Sequence, residues 1–165
     1  MKTFRHYVGD SFQNLNEAKM GNCFEVVGKA IMHNLMTMDE KEANEYEVVH
    51  AFVRGEGSLE GKRFVHAWIE HKGNVIDKAN GNNITLPIKV YYNLGQVEHN
   101  EKGAYAKYDR RTAQRNMGKY GHYGPWNEID DSLHEGAIPD TKREIGKQKI
   151  RLSKDMKDIL LDRGE

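Results

Sequence analysis

Beyond residue 21 the hydrophobic positions follow first one period and then another. Phe24, Val27, Ile31 and Leu35 recur at helical intervals, with Val26 and Ala30 widening the stripe. This spacing predicts a helix over 22–37, buried on a broad face. Asn22 stands three residues before Glu25, the spacing of a capping box, so the helix is expected to begin there. Gly28 within it predicts a close neighbour. After a polar connection the pattern becomes that of strands over 46–54, 62–71 and 74–79, rich in Val, Ile, Phe and Trp. Glycine-rich 55–61 and the pair Lys72-Gly73 separate them, which makes an antiparallel meander the economical topology. Asn80-Gly-Asn-Asn is a further turn signal, and 84–92, containing Pro87, is read as an edge strand. Residues 109–117 are helix-compatible and lead into the aromatic, glycine-rich loop Gly118-Lys-Tyr-Gly-His-Tyr-Gly-Pro-Trp126. Residues 1–20 show no sustained period and are read as an arm. From Thr141 the chain is strongly charged, and Ile150, Leu152, Met156, Ile159 and Leu160 predict a terminal amphipathic helix. The fold class expected is α+β, with a domain over 1–140 and a charged helical tail over 141–165.

A length of 165 residues suits one domain with a real core. Lys+Arg of 25 against Asp+Glu of 25 gives a formal charge of +0, which removes the overall electrostatic footprint of a dedicated nucleic-acid or anionic-membrane binder. Any choice of partner must therefore be local. The first residues lack an apolar signal region, and no run approaches the roughly 18 apolar residues of a membrane helix. A soluble, cytoplasmic protein with no membrane partner is expected. The single Cys excludes an intrachain disulfide and any zinc site built from several thiolates, leaving one thiol to account for.

That thiol, Cys23, opens the predicted helix, while His66 falls in the second strand and Asp77 in the third. Free peptide N–H groups and the positive end of a helix dipole stabilise a thiolate, and a thiolate attacks a carbonyl where a thiol does not. The same N–H groups face the oxyanion that develops on that carbonyl. If Lys72-Gly73 is a two-residue turn, His71 faces Asn74, and His66, Trp68, Asp77 and Ala79 project from one face. His66 and Asp77 are then diagonal neighbours, with backbones roughly 7–8 Å apart. A three-residue turn would separate them. In this arrangement His66 is the general base and later the acid, and Asp77 orients it.

The order Cys, His, Asp, with Cys opening a helix and His-Ala-Trp-Ile-Glu-His-Lys-Gly-Asn-Val-Ile-Asp77 forming a hairpin, resembles the papain-like superfamily in its permuted or minimal forms. The nearest likeness is to transglutaminase-like cysteine peptidases, including leader peptidases of the lasso-peptide type, with NlpC/P60 hydrolases more distant. The resemblance spans residues 21–80. It implies a nucleophile-bearing helix packed on an antiparallel sheet and cleavage or transfer at an amide bond. Where NlpC/P60 members carry Asp-Cys-Ser-Gly this chain has Asn22-Cys23-Phe24-Glu25, which favours a peptide or isopeptide substrate over cell-wall amides. Gln13, Asn16 and Asn22 are the side-chain candidates for the oxyanion position. Asn22, Trp68, and Tyr123 and Trp126 in a flap over Cys23 are the candidates for substrate contact. No cofactor is implied, and the expected partner is a peptide or protein substrate.

Two other classes compete. A connection centred on Ser58 would place His50 opposite His66, so that Cys23, His50, His66 and Asp77 approach a four-ligand zinc site. Lys107, Arg110, Arg111, Arg115 and Lys119, interleaved with Tyr105, Tyr108 and Tyr120, suit a single nucleic-acid strand or another polymer. On that reading the fold is a non-catalytic binding module, although nucleic acid is the less expected partner, since a solvated helix face explains the same pattern.

Overall fold

A computed structural model describes residues 22–55, 61–81 and 83–130. The arm over 1–20 with Gln13 and Asn16, and the tail over 141–165, lie outside the described residues. The chain runs α1 (Cys23–Thr37), α2 (Glu40–Ala43), β1 (Tyr46–Arg54), β2 (Arg63–His71), β3 (Asn74–Asp77), a 3-10 turn (Ala79–Gly81), β4 (Ile84–Pro87), α3 (Ile88–Leu94), β5 (Tyr105–Asp109) and α4 (Arg110–Tyr120). The class is α+β. Five antiparallel strands form one sheet in the order β4-β3-β2-β1-β5.

The hairpin between β2 and β3 forms because Lys72 and Gly73 both take positive φ, 48° and 78°, the twist-matched geometry of a two-residue hairpin turn. His71 accordingly faces Asn74, Glu70 faces Val75 and Ile69 faces Ile76, the register expected from the turn length. The third strand ends at Asp77, two residues earlier than its apolar pattern suggests. There the Ala79 amide donates to Asp77 Oδ1 at 2.9 Å and turns the chain out of the sheet.

Each face of the sheet has its own core. On one face Phe24, Val27, Ile31 and Met32 of α1 and Ala113 and Met117 of α4 pack on Val48, Phe52, Ala67, Ile69, Ala106 and Tyr108. On the other, Tyr91 of α3 and Val97 pack on Val49, Ala51, Val53, Trp68 and Val75. Large side chains such as Phe52, Trp68 and Ile31 are fully enclosed, each contributing about 1.5–3 kcal/mol through burial.

Three local expectations are corrected. Asn22 sits at the head of α1, but its side chain makes no capping hydrogen bond. Glu25 instead pairs with Lys29 one turn on. The single strand expected over 84–92 stops at Pro87 and becomes α3, because a helix turns Ile88, Tyr91, Tyr92 and Gly95 toward the sheet and leaves Lys89 and Val90 outside. Pro87, with its fixed φ, is well suited to the entry position. The basic-aromatic stretch from 105 is not one surface helix, since its first part is edge strand β5, with Ala106 and Tyr108 turned inward. Asp109 then caps α4 by accepting from the Thr112 amide at 2.7 Å.

Candidate active site

The site is assembled where β3 gives out. His66 and Asp77 stand on the face of the sheet that carries Trp68 and α3, as strand alternation requires, and His66 Nε2 donates to Asp77 Oδ2 at 2.9 Å. Cys23 belongs to α1, on the other face. The β2–β3 ladder ends at the Ile69–Ile76 pair, and the 3-10 turn Ala79–Gly81 packs on α1. At this rim the first turn of α1 meets β2, and the Cys23 thiol lies near enough to the His66 ring to act on its charge. With Nε2 engaged by the carboxylate, Nδ1 is the nitrogen left to the sulfur. One imidazole thus stands between a carboxylate that it binds and a thiol nearby, carried by elements from opposite sides of the sheet.

Asp77 is 2% exposed and accepts three hydrogen bonds. Besides the imidazole and the Ala79 amide, the Tyr91 hydroxyl donates to Oδ2 at 2.8 Å. Burial by itself would raise the carboxyl pKa. The charge and hydrogen bond of His66, then the Ala79 amide and the Tyr91 hydroxyl, outweigh it and hold Asp77 below the ordinary carboxylate value. Burial would likewise lower His66, but the charge of Asp77, then of Cys23, and the hydrogen bond to Asp77 carry it well above the ordinary imidazole value. The two shifts describe one coupled pair. Tyr91 is raised well above an ordinary phenol by burial and by the neighbouring carboxylate, so it remains a neutral donor.

Tyr91 has no sequence signal of its own, because its partner lies fourteen residues back and across a sheet edge. The only trace is the helical spacing of 88, 91, 92 and 95, which the β-branched residues of 84–92 conceal.

The four residues expected at the substrate surface are placed differently from one another. Asn22 is half-buried, and its carbonyl accepts from the Val26 amide at 2.8 Å. Trp68 is fully enclosed, its ring tilted against His66 at 6.0 Å and Tyr91 at 5.2 Å, with its indole N–H donating to Glu70 at 3.2 Å. Trp126 is also a core side chain, tilted against His50 and edge-on to Tyr108, both at 4.8 Å. Tyr123 is half-buried and lies on Gly28, where an added Cβ would stand 2.0 Å from its ring. The aromatic loop therefore covers the flank of α1 beside Phe24 and Gly28, a turn along from Cys23, with its Trp126 indole turned into the core.

The metal grouping does not assemble. In the β1–β2 register His50 faces Ala67 while Ala51 faces His66, one residue away from the expected pairing, so the two imidazoles point to opposite faces. Among the described residues no group of three or more His, Cys, Asp and Glu is placed to hold a metal ion. His50 is instead enclosed by Phe24, Tyr108 and Trp126, and burial, with His122 and His66 nearby, lowers its pKa to about 3.

The basic-aromatic segment is largely paired within the fold. Lys107 meets Glu47 at 3.0 Å and Glu70 at 2.6 Å, Arg110 hydrogen-bonds Asn44 at 2.8 Å, and Arg111 pairs with Glu40. Tyr108 donates to Glu128 at 3.1 Å. No helix among the described residues is long and apolar enough to cross a membrane. No protein family, no curated protein and no solved structure matches the chain.

Proposed function

We propose that this protein is a cysteine hydrolase of the papain-like, transglutaminase-like kind, cleaving a peptide or isopeptide bond with Cys23 as nucleophile, His66 as general base and acid, and Asp77 as its orienting carboxylate. The observation that carries this reading is the His66 ring, bound to the Asp77 carboxylate at 2.9 Å through one nitrogen, with a helix-opening thiol close enough to raise its pKa. A purely structural histidine needs only one of these partners. With both, the ring takes the thiol proton while the carboxylate stabilises the resulting imidazolium.

The sulfur attacks the substrate carbonyl, and the peptide N–H groups of the first turn of α1, which lack intrahelical acceptors, are available to the developing oxyanion. His66 then gives its proton to the leaving amine, forming a thioester. Water, deprotonated by His66, hydrolyses that thioester and restores the thiol. If a second amine replaces water, the same steps transfer the acyl group.

The test is hydrolysis of a peptide library by wild type, Cys23→Ala, His66→Ala and Asp77→Asn, with thermal melting of each. Cys23→Ala and His66→Ala are expected to remove turnover by a factor on the order of 10³ or more while the fold persists. Asp77→Asn is expected to cost less, about 10–100-fold, since an amide oxygen still accepts from the ring. Full activity in Cys23→Ala would reject the assignment.

A further inference from the structure

We propose that Tyr91 is a positioning residue of this site: its hydroxyl, donated to the same Asp77 oxygen that holds His66, keeps that carboxylate ionised and fixes the plane in which it presents an acceptor to the ring. The inference rests on the hydrolase reading and extends it to a side chain on a third element.

An ionised carboxylate is an acceptor only, with about two lone-pair directions on each oxygen. Asp77 Oδ1 is held by the Ala79 amide at 2.9 Å, and Oδ2 is shared between His66 Nε2 at 2.9 Å and the Tyr91 hydroxyl at 2.8 Å. The Ala79 amide and His66 hold one oxygen each, and the Tyr91 hydroxyl adds a second hydrogen bond to the oxygen that His66 uses, deepening the well in which the carboxylate plane sits. Tyr91 suits the task because it is the buried residue of α3, and its ring is packed on Trp68, which also lies against His66. The ring and the phenol oxygen are therefore located by the same packing that locates the imidazole.

The charged and titratable groups facing Asp77 are His66 from β2 and Tyr91 from α3, and the Cys23 thiol of α1 acts on the charge of both of these. Removing the hydroxyl leaves the buried anion with one donor fewer, so it takes up a proton at higher pH and, once protonated, releases the ring. A residue that merely anchored α3 to the sheet would alter stability without moving a titration.

The experiment follows the rate of Cys23 alkylation by iodoacetamide across pH 4–9 for wild type, Tyr91→Phe, Asp77→Asn, the double variant and His66→Ala, with melting of each. Because Cys23 is buried, rates are read relative to His66→Ala in the same fold. Tyr91→Phe keeps the ring on Trp68, and the acid limb of its profile is expected about 0.5–1 pH unit above that of wild type, a roughly three- to tenfold slower reaction on that limb. In the Asp77→Asn background Tyr91→Phe should add less than about twofold, because its effect passes through the carboxylate. Should Tyr91→Phe fail to fold, 3-fluorotyrosine at position 91 keeps shape and hydroxyl while donating more strongly, and should move the limb downward. A Tyr91→Phe profile superposing on wild type while His66→Ala differs would overturn the positioning role alone. Identical profiles for wild type and His66→Ala would overturn the hydrolase reading, and this inference with it.

Discussion

His50 and His66 show how one residue type acquires opposite behaviour from its surroundings. His66 is raised well above its ordinary value, so its contribution to stability is complete below about pH 6.5 and is lost as pH rises through its folded-state value. Asp77 is lowered, so its contribution is present above its unfolded value and is lost as pH falls through the folded one. For His50 burial holds the folded pKa at about 3, below the ordinary imidazole value of about 6.5. As pH falls from 6.5 toward 3 the unfolded chain takes up a proton that the folded chain refuses, costing about 1.4 kcal/mol per pH unit. His50→Phe, which leaves an aromatic ring among Phe24, Tyr108 and Trp126, is expected to flatten this acid-side loss. Denaturant melts at pH 4 and pH 7 measure it; an unchanged difference between the two would mean that His50 titrates normally.

At the scale of elements, the aromatic loop seats on α1 through one missing side chain. Ala in place of a helical Gly ordinarily stabilises by about 1 kcal/mol. At Gly28 the added Cβ would stand 2.0 Å from Cδ1 of Tyr123 and within 3 Å of two more ring atoms. Gly28→Ala is therefore expected to destabilise by about 1–3 kcal/mol, the usual range for overpacking, with Gly28→Ala/Tyr123→Ala recovering part of the loss. Thermal melting of the single and double variants decides it. The glycine and the aromatic loop were both legible in the sequence, but their contact was not, because they lie ninety-five positions apart. Strand β5 escaped for a different reason. It has five residues, and its outward Lys107 and Asp109 read equally well as the start of a charged helix.

Across the whole molecule, the edge strand is joined to the sheet by a buried charge. Glu70 is 2% exposed on β2 and accepts from Trp68 and, at 2.6 Å, from Tyr92 of α3, while Lys107 of β5 pairs with its other oxygen at 2.6 Å. Lys107→Met removes the only cation paired with that carboxylate among the described residues and is expected to cost about 1–3 kcal/mol, whereas Lys107→Met with Glu70→Gln should lose less. Chemical denaturation of both variants tests the coupling. The sequence by itself determined the local pieces: the periodicity of α1, the positive-φ turn at Lys72-Gly73, and hence the β2–β3 register that puts His66 and Asp77 on one face. These depend on contacts within a few residues or across one tight turn, where chain connectivity leaves few alternatives. Tertiary structure decided what crosses longer gaps. The β1–β2 register, set beyond a glycine-rich connection, differs by one residue from the expected pairing and so turns His50 away from His66. The switch of 88–94 from strand to helix depended on which face found the sheet, and it brought Tyr91 to Asp77. Both outcomes were chosen by burial of apolar surface against distant partners, a free energy that no local pattern contains.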